Sequence, residues 1–160
     1  MLEIYHTESE GVHEKLRAIL ERRLGKNYEI KRTENGKPYI SGNPLYFSLS
    51  HSADGAMIAV FDKPVGIDFE STKLKRNYAH ILARFTERER RFIRSDYDFL
   101  KNWVSKEAFV KMIGGTLARD LKRLEFYGDC LIFDGQKVNG LTVTRVPDGL
   151  YAVCTEGEII

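Results

Sequence analysis

Val65-Gly66-Ile67-Asp68-Phe69-Glu70 is the stretch whose reading decides the fold. Apolar and acidic residues alternate through it, the pattern of a β-strand with two unlike faces. Asp68 and Glu70 share one face, while Val65, Ile67 and Phe69 point the other way, towards a core. With a rise of about 3.3 Å per residue, the two carboxylates sit roughly 7 Å apart along the strand. That spacing lets both reach one hard cation through oxygen ligands. Taken alone, the stretch suits an edge strand with a solvated acidic face rather better than a metal site.

Upstream, residues 45–49 read as a strand that runs into Ser50-His51-Ser52. A turn at 53–55 leads to the nearly all-apolar run 56–61, a buried strand antiparallel to the one before. Nearer the N-terminus, residues 2–6 and 28–32 read as strands. Residues 12–24 form a helix, with Val12, Leu16, Ile19, Leu20 and Leu24 at helical spacing and Gly25 as its stop. Asn35-Gly36 marks a tight turn, and Pro38 pushes Lys37 towards extended backbone.

Downstream, residues 71–77 are polar and basic and read as a loop, and 78–84 as a short helix. Thr86 with Glu89 fits a capping box opening a helix through Arg94. Ser95 with Asp98 repeats the signal for a helix over about 96–113, and Gly114-Gly115 ends it. Strands at 123–127, 130–133, 140–146 and 150–155 complete the chain. Helices segregate from runs of adjacent strands, which predicts an α+β fold.

The 160 residues suit one domain, or two small halves sharing a core, and a formal net charge of +2 names no partner. Cys130 and Cys154 stand outside any metal-binding spacing and read as reduced thiols. The N-terminal residues lack the apolar run of a signal peptide, and no stretch approaches membrane length. The expectation is a cytoplasmic protein that binds neither membrane nor nucleic acid, since no exposed aromatic platform accompanies its basic residues.

Trp103, Glu107 and Lys111 recur every four residues and so share one helix face. Glu107 and Lys111 alone would suit a surface ion pair worth about 0.3–0.5 kcal/mol. A tryptophan on the same stripe implies a partly buried face or the wall of a cleft. Asp68, Glu70 and Glu107 with Lys111 then make a fitting site for Mg²⁺ and phosphate, because Mg²⁺ takes few carboxylates and fills its shell with water and phosphate oxygens. Lys37, Ser50 and His51, at strand ends and turns, would add phosphate donors.

Five motifs stand in order: GKP at 36–38, FSLSHS at 47–52, VGIDFE at 65–70, RFTERE at 84–89 and WVSKEAFVK at 103–111. Together they resemble the 4′-phosphopantetheinyl transferases, specifically the surfactin-synthetase-activating branch of that superfamily. The resemblance implies an α+β fold of two similar halves. Here the first half, 1–64, is abbreviated, and the second, 65–160, carries the metal motifs. It implies Mg²⁺-dependent transfer of the phosphopantetheine arm of coenzyme A to a serine of an acyl or peptidyl carrier protein, releasing adenosine 3′,5′-bisphosphate.

By position, Asp68 and Glu107 would hold Mg²⁺, with Glu70 joining directly or through water. Glu107, or a water it orients, would serve as base, Lys111 would neutralise the phosphate under attack, and Lys37, Ser50 and His51 would contact the nucleotide. Arg84, Arg88, Arg90, Arg91 and Arg94 crowd one short segment. They are either a solvated basic face or, near Arg84, Arg88 and Arg91, a docking surface for an acidic carrier. A non-catalytic coenzyme A or carrier-binding module and a Mg²⁺-dependent pyrophosphate hydrolase are the alternatives, and the chain is expected as a monomer or dimer. Two departures stand out. The chain is short for this branch, and Thr116 occupies a position where the family has glycine.

Overall fold

Residues Val65–Ser71 form a strand that is covered on both faces, because its two kinds of side chain meet two different neighbours. The computed structural model describes residues 1–73 and 77–157. Its elements begin with β1 (Glu3–Thr7), α1 (Val12–Leu24), β2 (Ile30–Arg32), β3 (Pro38–Ile40), β4 (Tyr46–Ser52), β5 (Gly55–Phe61) and β6 (Val65–Ser71). There follow α2 (Ala79–Leu82), α3 (Glu87–Phe92), α4 (Asp96–Ile113) and α5 (Leu117–Asp120), with a single 3₁₀ turn at Leu121–Arg123. The chain continues through β7 (Leu124–Tyr127), β8 (Cys130–Phe133), β9 (Gln136–Lys137), β10 (Leu141–Val146) and β11 (Gly149–Thr155).

Two antiparallel sheets carry the architecture, one ordered β1-β5-β4 and the other β10-β11-β6. In each, the first strand in sequence pairs with the third, and the third with the second. A long helix lies between the first and second strands of each, α1 in one case and α4 in the other. The β2–β3 hairpin and the small β7-β8-β9 sheet stand apart.

The cores explain the stacking. Val12, Leu16, Ile19 and Leu20 of α1 pack on Phe47, Ile58 and Val60. From the other face of β5, Met57 and Ala59 meet Val65, Ile67, Phe69 and Val153, joining sheet to sheet. Leu150, Ala152 and Cys154 then pack against Val104 and Ala108 of α4. The layers therefore run helix, sheet, sheet, helix. Fully burying side chains such as Ile67 and Phe69 is worth roughly 1.5–3 kcal/mol each.

Gly66 lets α4 lie directly on β6. A Cβ there would stand 1.9 Å from the Ala108 carbonyl oxygen and 2.4 Å from the Met112 nitrogen. The free edges of the two sheets, β4 and β6, also meet. No backbone ladder joins them there; the Ile67 N–H donates to Ser48 Oγ at 3.1 Å and the Ile67 carbonyl accepts from Lys111 Nζ at 3.2 Å. Side chains thus satisfy backbone groups that a neighbouring strand would otherwise pair.

The caps behave as the sequence implies. Thr86 and Glu89 complete a reciprocal capping box, and Ser95 accepts from the Asp98 N–H. The helix from Thr86 ends at Phe92 rather than Arg94, because Ile93 turns extended before Ser95 opens α4. Four short pieces escape the periodicity: β3, α5, the 3₁₀ turn and β9, each of two to four residues. The expected loop over 71–77 lies partly outside the described residues, at 74–76. Both cysteines are free thiols, and Cys154 is buried. Among the described residues no helix is long and apolar enough to cross a membrane.

Candidate active site

Alternation along β6 turns Asp68 towards α4, where it is buried. Its Oδ1 accepts from Lys111 Nζ at 2.7 Å and from the Ser50 hydroxyl at 2.8 Å. Its Oδ2 is buried with no partner at hydrogen-bond geometry. Burial pushes the Asp68 carboxyl up, while the charge and hydrogen bond of Lys111, the Ser50 hydroxyl and the Phe69 amide draw it down. The alternative of a solvated acidic face therefore does not describe Asp68. Glu70, two residues on, is half-buried.

Glu107 lies on α4 one turn before Lys111, and Trp103 one turn before that, all three half-buried. Trp103 packs on the core beneath α4 and stacks near Phe99, with ring centroids 6.3 Å apart. Glu107 is pushed up to about 7, first by burial, then by repulsion from Asp68; Lys111 opposes the shift and Glu70 adds to it. The structure thus brings Asp68, Glu70, Glu107 and Lys111 within electrostatic reach of one another. Among the described residues no three acidic, histidine or cysteine side chains converge into a metal cage as they stand.

The donor chemistry nonetheless fits a hard divalent cation. All three acids offer oxygen, they repel one another, and one buried Asp68 oxygen is unpartnered. Mg²⁺ needs few of them, since water and phosphate supply its other ligands.

A cavity of about 330 Å³ opens beside this cluster. His13, Arg32, Lys37, Ser48 and Lys111 line it together with Gly114 and Gly115. Lys37 Nζ donates to the Met112 carbonyl at 2.7 Å, and burial lowers its ammonium to about 8. Asn35 Nδ2 donates to the Gly114 carbonyl at 2.8 Å, which fastens the turn at Asn35-Gly36 to the end of α4. Ser50 sits with Asp68, whereas His51 is exposed and alternation puts it on the opposite face of β4.

Several neighbours of the acid cluster and the cavity were not visible in the motifs. Ser48 shares the Ser50 face of β4, a relation the alternation in FSLSHS could have revealed. Arg32 and His13 reach the cavity only through the tertiary fold. Thr116, the departure from glycine, caps α5 and has its own N–H held by the buried Asp120 at 2.9 Å. Gly115 beside it is required, since a Cβ would come within 2.2 Å of Asp120 Oδ2. Lys106, inside WVSKEAFVK, faces away from the site and pairs with Glu89 in the core. Among the arginines, Arg88 lies 3.7 Å over the Tyr127 ring and Arg91 pairs with Glu87 at 2.7 Å, while Arg84 is exposed.

Residues 64–136, which contain the whole cluster except Lys37, Ser50 and His51, match the model of the 4′-phosphopantetheinyl transferase superfamily. The chain resembles that superfamily. The human L-aminoadipate-semialdehyde dehydrogenase-phosphopantetheinyl transferase is 38% identical over 117 residues, covering 61% of this chain and 38% of the human protein. The 4′-phosphopantetheinyl transferase of Bacillus subtilis is 36% identical over 100 residues, 55% of this chain and 42% of that one. The 4′-phosphopantetheinyl transferase AcpT of Salmonella typhi is 36% identical over 109 residues, 62% and 57% respectively. The chain thus spans about two-fifths of the human and Bacillus relatives and under three-fifths of the Salmonella one.

Proposed function

We propose that this chain transfers the 4′-phosphopantetheine arm of coenzyme A to a serine hydroxyl of a carrier protein. The observation that carries the reading is Asp68, Glu107 and Lys111 set together beside a cavity lined by basic side chains. Asp68, through its unpartnered oxygen, and Glu107 would hold Mg²⁺, with Glu70 beside them. Bound there, the cation would supply positive charge to the coenzyme pyrophosphate.

The protein's own groups account for the rest. Glu107, or a water it orients, would accept the serine proton; without a cation it is pushed up to about 7, and bound Mg²⁺ would favour its carboxylate form. The serine oxygen then bonds to the phosphorus bearing the pantetheine arm, the pyrophosphate P–O bond breaks, and adenosine 3′,5′-bisphosphate leaves. Lys111 neutralises charge on the phosphate under attack. Lys37, Arg32 and His13 favour an anionic nucleotide in the cavity, and Ser50 fixes Asp68. His51 shares the face of β4 that gives Phe47 and Leu49 to the cavity, the side from which it would contact the nucleotide.

Two finer readings belong with this one. The two main sheets share one strand order and one helix position, which supports a fold of two similar halves, 1–64 and 65–160. The exposed arginines Arg84, Arg88 and Arg91 suit docking of an acidic carrier.

Incubation of the purified chain with coenzyme A, Mg²⁺ and several apo carrier proteins, read by intact-protein mass spectrometry, tests the proposal. Addition of the arm to a carrier is expected. Free phosphopantetheine without a loaded carrier would instead mean a pyrophosphate hydrolase. Coenzyme A binding with neither product would mean a binding module.

A further inference from the structure

We propose that Lys111 is a resident counter-ion of Asp68, which a divalent cation must displace, and that the displaced ammonium is then delivered to the phosphate-binding cavity. This rests on the metal reading of Asp68 given above. It goes further by assigning the metal-free protein a defined state and the cation a second task.

The geometry supplies three supports. First, both acceptors of the Lys111 ammonium belong to β6: Asp68 Oδ1 at 2.7 Å and the Ile67 carbonyl at 3.2 Å. The side chain is thus drawn back onto the strand instead of reaching into open cavity. Second, the neutralisation is incomplete. Asp68 Oδ2 stays buried and unpartnered, so the carboxylate keeps an oxygen with which to begin binding a cation while Lys111 holds the other. Third, Lys111 also lines the cavity with Arg32 and Lys37. One flexible four-carbon stem therefore borders both places, and a change of rotamer moves the charge between them.

A divalent ion and an ammonium cannot share one small carboxylate without strong repulsion, which falls only as the inverse of their separation. Binding of the ion at Asp68 releases Lys111, and the phosphates of a bound nucleotide offer the nearest anionic acceptor. Lys37 differs, because its ammonium is anchored to the Met112 carbonyl on α4 and not to a carboxylate of the cluster. Metal and coenzyme should consequently bind with positive coupling, each easing the relocation the other requires.

The test is Mn²⁺ binding without coenzyme A, followed by electron paramagnetic resonance of the free ion. The proteins are the unmodified chain, Lys111→Met and Asp68→Asn. Removing the competitor should tighten Mn²⁺ binding on the order of tenfold, while Asp68→Asn should weaken it. Equal or weaker binding by Lys111→Met, with Asp68→Asn still defective, overturns the counter-ion role and leaves the metal reading standing. Binding that is absent from all three proteins, or indifferent to Asp68, overturns both. A second readout on the unmodified chain covers a poorly folded variant. Mild acetylation mapped by peptide mass should label Lys111 several-fold faster when Mg²⁺ is added. Labelling unchanged by Mg²⁺ overturns the proposal.

Discussion

Two buried acid–amine pairs hang from the same helix, and their difference separates structure from chemistry. Lys106 and Lys111, five residues apart on α4, pair with Glu89 and Asp68. The first pair is sealed, with side chains 0% and 1% exposed. Glu89 is also saturated: one oxygen takes the Thr86 N–H at 2.9 Å, and the other takes the Phe126 N–H at 2.8 Å and the Asn102 amide at 3.5 Å. The Lys106 ammonium lies over the Phe85 ring, 3.8 Å from its centroid. In the second pair Lys111 keeps 31% of its side chain exposed at a cavity wall, and an Asp68 oxygen has no hydrogen bond. Lys106 Nζ makes the ion pair but no further hydrogen bond, so the saturation belongs to the acid, and an acid saturated in this way fastens elements together, here α3, α4 and β7. An unsaturated one beside a cavity is left with capacity for a ligand.

The sharpest way to break this contrast is to neutralise one acid of each pair. Asp68→Asn is expected to lower carrier loading by at least about 100-fold with little change in thermal midpoint, because it removes charge where the transition state needs a cation held. Near-normal loading would move the metal site elsewhere. Glu89→Ala should do the reverse. It leaves Lys106 uncompensated and strips the Phe126 and Thr86 amides of their acceptor, so chemical denaturation should show a loss of about 3–5 kcal/mol. The fraction that stays folded should keep its turnover per molecule. If Glu89→Ala silenced folded protein instead, the division between the two pairs would fail.

A third substitution probes what places α4 over Asp68 at all. Gly66→Ala sets a methyl group against backbone atoms of α4, which cannot rotate aside as a side chain could. The helix must lift from β6, at a cost of about 1–3 kcal/mol. Lifting also draws Glu107 and Lys111 away from Asp68, so activity should fall more than stability predicts. Equilibrium unfolding and carrier loading, measured on the same preparation, check this.

Much of this was legible in the sequence for a definite reason. The alternation in VGIDFE and the fourfold spacing of Trp103, Glu107 and Lys111 are local patterns, and local patterns fix which face a side chain takes. That was enough to predict the strand, the helix and the shared face of each acid set. The remainder depends on contacts distant in sequence. Glu89 announced one hydrogen-bond partner through its capping box, but its second, Phe126, lies 37 residues away. Lys106 and Lys111 look alike in WVSKEAFVK, and only packing decides that one enters the core. The β4–β6 seam is formed by the Ser48 side chain in place of a backbone ladder, and no periodicity records that. His51, next to Ser50, necessarily faces away from Asp68, and only the tertiary fold shows that its face also gives Phe47 and Leu49 to the cavity.

The smallest expected effect is a pH dependence carried by Glu107, the acid beside the unsaturated pair. Glu107 is raised to about 7 from an ordinary value of 4.5, so between those values the folded protein holds a proton that the unfolded chain has lost. Stability must then fall as pH rises through this window and level off above it, by about 1–3 kcal/mol given that Glu107 is half-buried and water screens it. Asp68, also raised by burial, acts in the same direction. A divalent cation favours the carboxylate forms, so added Mg²⁺ should raise the thermal midpoint more at pH 8 than at pH 5.5. It should also move the rising limb of the loading rate to lower pH. Glu107→Gln should flatten the stability profile between pH 5 and 7. A profile unchanged by that substitution would show that the proton resides elsewhere, and with it the base of the proposed transfer.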